Sequence, residues 1–418
     1  MSRRLLGLLI IAVAGLTACG RYASALPAAA GYRIFLEQGY NGSDEVTVLD
    51  SGTGAVERQL PIGTPAPDWS RYYTVTQHGG SATLTALDPA SGRTLAQATI
   101  PTGYTLPSPA FQGPTAGVSP NGQWLVLTRQ TGNLSSFLVG ATSLQSPFKT
   151  AQLNGDFSYD ALSNDGQSLY LIQKMGDPNQ YQVRLYDVAS RSLLEQPVVD
   201  KREASEPMTG IRGDSVPDPQ GSYVFTVYAR SNGPFIHALP LIGQPWAWCL
   251  DLPAKNASDI EEQFHWSLAI NRDGTLVYAV NASSGLIAEI APDKLPSLRR
   301  TGQVAVNATP GFFAGLVTNA DAKGARIGGA ALSADGRTLF ALGATGIVAI
   351  DVGTLKVRYR ILDGQSGDSI RLGADGQWLY AAGGAASQLW QIDPKTGAVA
   401  GAIKGSTNPW ALLWAEPK

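Results

Sequence analysis

The sequence predicts an all-β fold, a β-propeller built from four-stranded antiparallel blades. Three observations predict it: one strand-turn-strand phrase repeats along the chain, a second strand phrase follows most copies, and the composition suits frequent turns around a large core. Gly (47) and Pro (26) together make up about a sixth of the 418 residues, while 44% of the residues are apolar. Such a chain can bury a core and still turn often, which is typical of an all-β protein and not of a disordered one.

The first repeated phrase contains an Asp-Gly or Asn-Gly pair followed by a short apolar run. Glycine takes positive φ at no steric cost, and the Asp or Asn side chain can bond the backbone of its own turn. The run that follows has strand propensity, so each copy predicts a tight hairpin. The copies are Ser119–Leu127, Ser163–Leu171, Asn271–Ala279, Ser333–Ala341 and Gly373–Ala381, with degenerate ones at Pro217–Phe225 and Asp68–Val75.

The second phrase is a strand that ends in Asp and leads into one more turn and strand. Its copies are Val46–Asp50, Leu84–Asp88, Val183–Asp187, Ile347–Asp351 and Leu389–Asp393. The two phrases together give four strands per unit. The hairpin glycines at 122, 166, 221, 274, 336 and 376 lie 40 to 62 residues apart. Four strands on a period of this length predict a propeller.

The repeats resemble those of the YVTN family of β-propellers, and more distantly those of WD-repeat and TolB-type propellers. Residues 271–281, with an Asp-Gly turn, a Leu-Val-Tyr strand and a closing Asn, are close to the YVTN consensus. The similarity covers residues 32 to about 415, although residues 200–260 depart from it and the Trp-Asp dipeptide of WD repeats is absent. The resemblance implies the fold, and it implies little about activity because propellers host many functions.

The expected number of blades is eight, with seven blades and one hairpin outside the ring as the alternative. The first unit has no strand before Tyr32, whereas a strand-like segment, Trp410–Trp414, is left over at the C-terminus. We expect this segment to supply the innermost strand of the first blade and to close the ring. Residues 32–418 are therefore predicted to form one propeller domain, preceded by a short tether at 19–31.

The N-terminus resembles the signal of bacterial lipoproteins. Arg3 and Arg4 precede an apolar run at 5–16 that is too short to span a bilayer, and Cys19 follows Thr17 and Ala18. In that family the cysteine receives diacylglycerol and the peptidase cuts before it. The resemblance implies a signal peptide at 1–18, a membrane anchor on Cys19, and a place in the bacterial cell envelope, on the outer side of the cytoplasmic membrane or in the outer membrane. An ordinary secretory signal that contains a cysteine is the alternative.

Net charge and cysteine content argue against two kinds of function, nucleic-acid binding and thiol chemistry. A formal net charge of −2 gives no basis for nucleic-acid binding, which needs a cationic surface. With Cys19 lipidated, Cys249 would have no intrachain disulfide partner. Its apolar neighbours Trp248 and Leu250 favour an inert buried thiol over a reactive one.

Propeller geometry places the tight turns on one face and the blade-to-blade connections on the other. We call these the tight-turn face and the long-connection face. Long connections are predicted at 103–116, 199–211, 252–265 and 306–328, and long ordered loops on a rigid scaffold commonly carry recognition. The candidate binding residues on this face are Arg202, His265, Trp266 and Phe313.

The sequence contains no common catalytic motif and no metal-ligand spacing, since its three histidines lie far apart. His265 is accordingly more consistent with a structural role than with a ligand. No cofactor and no metal are expected, and catalytic residues remain unassigned. The leading prediction is a lipid-anchored extracytoplasmic module that binds a protein, peptide or glycan. The alternative is a lactonase-like hydrolase or lyase at the channel mouth, which would hold a metal through loop carboxylates.

Overall fold

Eight β-sheets follow one another along the chain in the computed structural model, which describes residues 31–38, 45–107, 116–176, 180–200, 207–293, 295–305, 329–343, 346–365, 367–383, 388–404 and 410–418. Each sheet is one blade of a propeller, and we number the blades 1 to 8 along the chain. The predicted eight-bladed propeller is confirmed, and the seven-bladed alternative is wrong.

The C-terminal strand completes blade 1 and closes the ring, as predicted. Trp410–Pro417 pairs antiparallel with Tyr32–Gln38, and the register places Phe35 opposite Trp414. The remaining strands of blade 1 are Glu45–Asp50 and Val56–Pro61.

Four further blades have four antiparallel strands each, and the strand that comes first in each blade is the innermost. From blade 5 through blades 6, 7 and 8 to blade 1, the innermost strands of neighbouring blades contact one another. In blade 2 the strands are Thr64–Pro65, Tyr72–Gln77, Ser81–Leu87 and Thr94–Pro101. In blade 6 they are Trp266–Ile270, Val277–Asn281, Leu286–Ala291 and Ser297–Gln303. In blade 7 they are Ala330–Leu332, Thr338–Gly343, Gly346–Asp351 and Lys356–Ile361. In blade 8 they are Ser369–Leu372, Leu379–Gly383, Gln388–Ile392 and Val399–Lys404.

Blades 3 to 5 are less regular. In blade 3 an isolated bridge between Val118 and Leu125 stands where other blades have the innermost ladder. Two short strands, Met208–Thr209 on blade 4 and Val199–Asp200 on blade 5, add to the outer parts of those sheets. Blade 3 consists of Trp124–Thr131, Leu134–Ala141 and Lys149–Asn154. Blade 4 consists of Phe157–Leu162, Ser168–Lys174, Gln180–Asp187 and Ser192–Leu193. Blade 5 consists of Ile211–Pro217, Tyr223–Ala229, Phe235–Pro240 and Trp246–Asp251.

The tight turns have the geometry that the repeated phrase predicts. In blade 4 the amide of Gly166 donates to the Ser163 carbonyl at 3.0 Å, and Gly166 has a φ of +69°. In blade 2 a tryptophan takes the place of this glycine: the amide of Trp69 donates to the Ala66 carbonyl at 2.9 Å, and Trp69 has a φ of +56°. A side chain in this left-handed conformation costs roughly 1–2 kcal/mol, so Trp69 must be held by other contacts.

The core of the described chain divides into eight apolar clusters, one between each pair of neighbouring blades. The cluster between blades 8 and 1 contains Tyr380 and Tyr32, so apolar packing closes the ring along with strand pairing. Cys249 is buried between blades 4 and 5, as expected. Across the described ranges, no helix has the length and apolar character that a bilayer crossing requires.

Candidate functional site

The predicted site residues are only partly within the described chain. Cys19, Arg202 and Phe313 lie outside the described residues. His265 and Trp266 lie at the end of the connection from blade 5 to blade 6, on the long-connection face. This connection, residues 252–265, is the predicted loop that the structure describes in full.

His265 and Trp266 have different environments although they are adjacent. His265 follows a short helix, Ile260–Gln263, and is half-buried, with its amide donating to the Glu262 carbonyl at 3.1 Å. Trp266 is 3% exposed and packs in the cluster between blades 5 and 6. An effect of Trp266 on binding would therefore pass through the position of the loop and not through direct contact with a partner.

The connection is held in one conformation by side-chain hydrogen bonds. The carboxylate of Asp259 caps the helix by accepting from the Glu262 amide at 3.0 Å. The buried Gln263 bonds both backbone groups of Arg230, its Oε1 accepting from the amide at 2.8 Å and its Nε2 donating to the carbonyl at 3.0 Å. The same Nε2 donates to the Ala257 carbonyl at 2.8 Å. The loop is thus tied both to itself and to the neighbouring hairpin of blade 5.

The outer surface of this loop carries both signs of charge. Lys255 and Glu261 are exposed. Beside them the Arg230 guanidinium lies over the Phe235 ring, 4.3 Å from its centroid, and donates to the carboxylate of Asp251 at 2.6 Å. We call residues 252–263 together with Arg230 and Asp251 the loop platform. Mixed charge over an aromatic base is a composition that interaction surfaces use.

A second group of polar residues lies on the innermost strands, where sequence reasoning did not place a site. Arg212 on blade 5 forms a buried ion pair with Asp160 on blade 4, their side chains being 9% and 3% exposed. A cavity of about 30 Å³ borders this pair, which is room for one or two water molecules and not for a larger ligand. Arg212 begins an Arg-Gly-Asp tripeptide that resembles an integrin ligand, but its guanidinium is buried in the ion pair, so the tripeptide is not displayed to a receptor.

Asp214 lies two residues further along the same strand. The innermost strands form the wall of the central channel, and among their described carboxyl groups Asp214 has the most strongly shifted pKa. Its oxygens accept from the amides of Leu268, at 2.8 Å, and Ser215, at 2.9 Å. Burial nevertheless raises the pKa of Asp214 to about 6. On blade 8 the guanidinium of Arg371 is likewise desolvated, which lowers its pKa, and its Nε donates to the Leu412 carbonyl at 3.4 Å.

His237 is a packing residue, in line with its predicted strand position. It is 1% exposed between blades 4 and 5, and burial lowers its pKa to about 4, so the ring is neutral at physiological pH. Its Nε2 has no hydrogen-bond partner among the described residues. Nowhere in the described chain do three His, Cys, Asp or Glu side chains converge in a way that could hold a metal.

One signal in the sequence could have pointed to the charged residues of the innermost strands. It is a charged residue within a strand that consists mostly of apolar or small residues. Asp160 in Phe157–Leu162 and Arg212 in Ile211–Pro217 both fit that description. Their mutual contact could not be derived, because 52 residues separate them and a bulge shifts the register after Arg212.

Comparison with known proteins identifies the fold. No protein-family model and no curated protein matches the chain. Among solved structures, apo AztD from Citrobacter koseri is similar with 11% sequence identity and a TM-score of 0.55, covering 93% of this chain and 98% of that chain. The dihydro-heme d1 dehydrogenase NirN in complex with DHE is similar with 15% identity and a TM-score of 0.51, covering 91% of this chain and 74% of that chain. At these identities the likeness shows the propeller fold alone.

Proposed function

We propose that the protein is a lipid-anchored, extracytoplasmic propeller that binds a protein, peptide or glycan partner through its long-connection face. The observation that carries the proposal is the loop platform. Its charged groups stand on a backbone that Asp259 and Gln263 already hold in place.

Preorganisation matters because ordering a flexible loop at the moment of binding costs free energy. A surface loop of more than ten residues has no folding reason to be fixed this firmly, since tight turns connect strands with fewer residues elsewhere in the ring. The buried amide of Gln263 makes three hydrogen bonds that leave Lys255 and Glu261 facing outward. The platform therefore offers a partner both a cationic and an anionic side chain on a backbone that is held in place.

The membrane anchor is the second part of the proposal, and it rests on the sequence of residues 3–19. A diacylglyceryl group on Cys19 would hold the propeller at the outer side of the cytoplasmic membrane or at the outer membrane. Residues 19–31 would act as the tether. One lipid modification of this kind, and not a spanning helix, would keep the protein on the envelope.

A comparison of matched variants tests the binding proposal. Residues 20–418 serve as bait for detergent-solubilised membranes, and the captured partner is then measured in solution against purified variants. We expect at least one of three variants to weaken binding of the partner by more than about 1 kcal/mol: Lys255→Ala, Glu261→Ala or His265→Ala. Lys395→Ala and Arg337→Ala change exposed residues of the tight-turn face and should leave affinity unchanged. The proposal fails if the tight-turn variants alone weaken binding, or if the two platform variants and His265→Ala all leave the affinity unchanged.

The alternative function, a propeller hydrolase or lyase, has one observation in its favour. The raised pKa of Asp214, about 6, suits a general base or acid working near neutral pH. If Asp214 has that role, Asp214→Asn should abolish turnover of a lactone or glycoside that the wild type cleaves, while partner binding at the loop platform is unchanged.

A further inference from the structure

A cleft opens on the tight-turn face where blades 2 and 3 meet. Its volume is about 270 Å³, near the lower end for sites that bind small molecules. Pro67, Asp68 and Arg71 of blade 2 line one side, and Pro120, Thr142 and Ser143 of blade 3 line the other. This face is opposite the loop platform, so the cleft belongs to neither part of the function proposed above.

At this cleft blade 2 carries an arginine where blade 3 carries a tryptophan. The two turns are equivalent by their backbone bonds: the Ala66 amide donates to the Arg71 carbonyl at 2.8 Å, and the Ser119 amide donates to the Trp124 carbonyl at 2.9 Å. In blade 3 the Trp124 ring lies against the turn of blade 4, so close to Gly166 that a Cβ there would be 2.3 Å from Cδ2 of the ring. In blade 2, Arg71 leaves the corresponding space open: a Cβ on Gly122 would meet only Pro67, at 3.4 Å, and Ala66, at 4.0 Å.

Two opposite charges in the cleft have unused bonding capacity. Arg71 donates one long hydrogen bond, 3.4 Å from Nη1 to the Thr142 carbonyl, and also interacts with the Tyr73 hydroxyl, but it forms no ion pair within the described chain. Asp68 uses its Oδ1 for the amide and hydroxyl of Ser70, at 3.0 and 2.7 Å. It forms no ion pair with Arg71 or with another described cation.

Both walls of the cleft are fixed. On one side the buried Trp69 anchors the turn that presents Asp68 and Arg71. On the other, the Thr142 hydroxyl donates to the Gly122 carbonyl at 2.8 Å. The left-handed conformation of Trp69 is the kind of backbone strain that gathers at ligand sites, and Trp69 lies in the turn segment between Asp68 and Arg71.

We propose that this cleft binds a small zwitterion, a free α-amino acid, whose carboxylate pairs with Arg71 and whose ammonium group faces Asp68. A guanidinium donates two parallel bonds to a carboxylate, which makes arginine the fitting residue for that group. The exposed carboxylate oxygen of Asp68 supplies the complementary acceptor. Pro67 and Pro120 offer apolar surface to the carbon atoms of the ligand.

Calorimetric titration of residues 20–418 with each of the common amino acids, with acetate and with methylamine tests the proposal. At least one amino acid should bind at millimolar concentration or below, and acetate and methylamine should each bind at least about tenfold more weakly. Arg71→Gln and Asp68→Asn should each weaken the amino acid about tenfold, and Arg337→Gln, an exposed arginine in the equivalent turn region of blade 7, should not.

Arg71→Trp is the decisive variant, because it introduces at this position the residue that blade 3 has, and the indole should fill the cleft. We expect it to keep or raise the melting temperature and to lose the amino acid. Retained binding in Arg71→Trp overturns the proposal, as does the absence of binding by every amino acid at millimolar concentration. Equal binding of acetate and amino acids overturns the assignment of Asp68.

Discussion

Trp69 stacks on Trp414, with ring centroids 5.6 Å apart and ring planes 8° from parallel. Trp69 belongs to the first turn of blade 2, and Trp414 belongs to the C-terminal strand that completes blade 1. The same indole contacts Phe35, at 5.0 Å between centroids, on the strand with which the C-terminal strand pairs. The strained turn residue is thus one of the contacts through which blade 2 holds the closing strand.

Replacing Trp69 with glycine therefore sets two effects against each other. Glycine relieves a backbone penalty of roughly 1–2 kcal/mol, whereas loss of a buried tryptophan costs about 3–5 kcal/mol. We expect Trp69→Gly to lower the free energy of unfolding by about 2 kcal/mol, measured by urea titration. Stability equal to or above that of the wild type would contradict the role given to the indole stack.

Removal of residues 405–418 should open the ring. The deletion takes away the buried Leu412 and Leu413, each contributing about 2 kcal/mol, and exposes the edge of Tyr32–Gln38. We expect a lower melting temperature and concentration-dependent self-association, measured by light scattering after gel filtration. A truncated protein that stays monomeric with the wild-type melting temperature would contradict closure by this strand.

The lipid anchor predicts a clear result for Cys19→Ala. Without the thiol no diacylglyceryl group can be attached, so the protein should leave the membrane fraction and should not incorporate labelled palmitate. Cys249→Ala, which changes a buried core residue, is the control and should label as the wild type does. Equal labelling of wild type and Cys19→Ala would end the lipoprotein interpretation.

Gln263 should control the loop platform without touching a partner. Gln263→Met keeps the length of the side chain but removes its hydrogen bonds to Arg230 and Ala257, at a cost of about 1–3 kcal/mol. We expect faster amide hydrogen exchange in residues 252–265 and weaker partner binding, while exchange in blade 8 is unchanged. Unaltered exchange in the loop would show that other contacts hold it.

Asp214 and His237, both on blade 5, should give opposite dependences of stability on pH. Burial raises the pKa of Asp214 from 3.8 to about 6, so the folded state binds the extra proton and stability falls as pH rises from about 4 to about 6. Burial lowers the pKa of His237 from 6.5 to about 4, so the unfolded state binds the extra proton and stability rises over nearly the same interval.

The two contributions oppose each other in the wild type and should separate in the variants. As pH rises from about 4 to about 7, the free energy of unfolding of Asp214→Asn should increase by about 2 kcal/mol, because only the His237 contribution remains. Over the same interval that of His237→Gln should decrease by a similar amount. Both are measured by urea titration at each pH. Arg337→Gln should follow the wild-type profile. Parallel profiles for all four proteins would contradict these assignments.

The sequence predicts the fold more completely than the candidate sites, and particular residues show why. The glycines at 122, 166 and 274 repeat because each tight turn needs positive φ, and this local requirement is visible in any one copy. The unpaired segment Trp410–Trp414 pointed to ring closure because a four-strand repeat leaves one strand to be accounted for. Blade 2 showed only a degenerate copy of the phrase, Asp68–Val75, because Trp69 stands where the other turns have glycine.

The sites depend on contacts between residues far apart in the chain, which no repeat pattern reports. Arg71 looks like an ordinary turn residue until the ring brings it against Thr142 of the next blade. Asp160 and Arg212 meet across a blade junction, and Trp266 looks like a loop aromatic until the start of its strand is placed in the core. Turns and strands depend on residues that are adjacent in the sequence and can be predicted from them. These contacts depend on how the blades pack against one another.

The pairing of the last strand with the first also determines how the molecule can come apart. A linear array of repeats has two terminal units, each with one neighbour, and such arrays fray from their ends. Here the amide of Lys418 donates to the carbonyl of Gly31 at 2.7 Å, and every blade has a neighbour on both sides. No blade can therefore detach first without breaking two junctions, so the propeller should unfold as a single cooperative unit despite its repetitive construction.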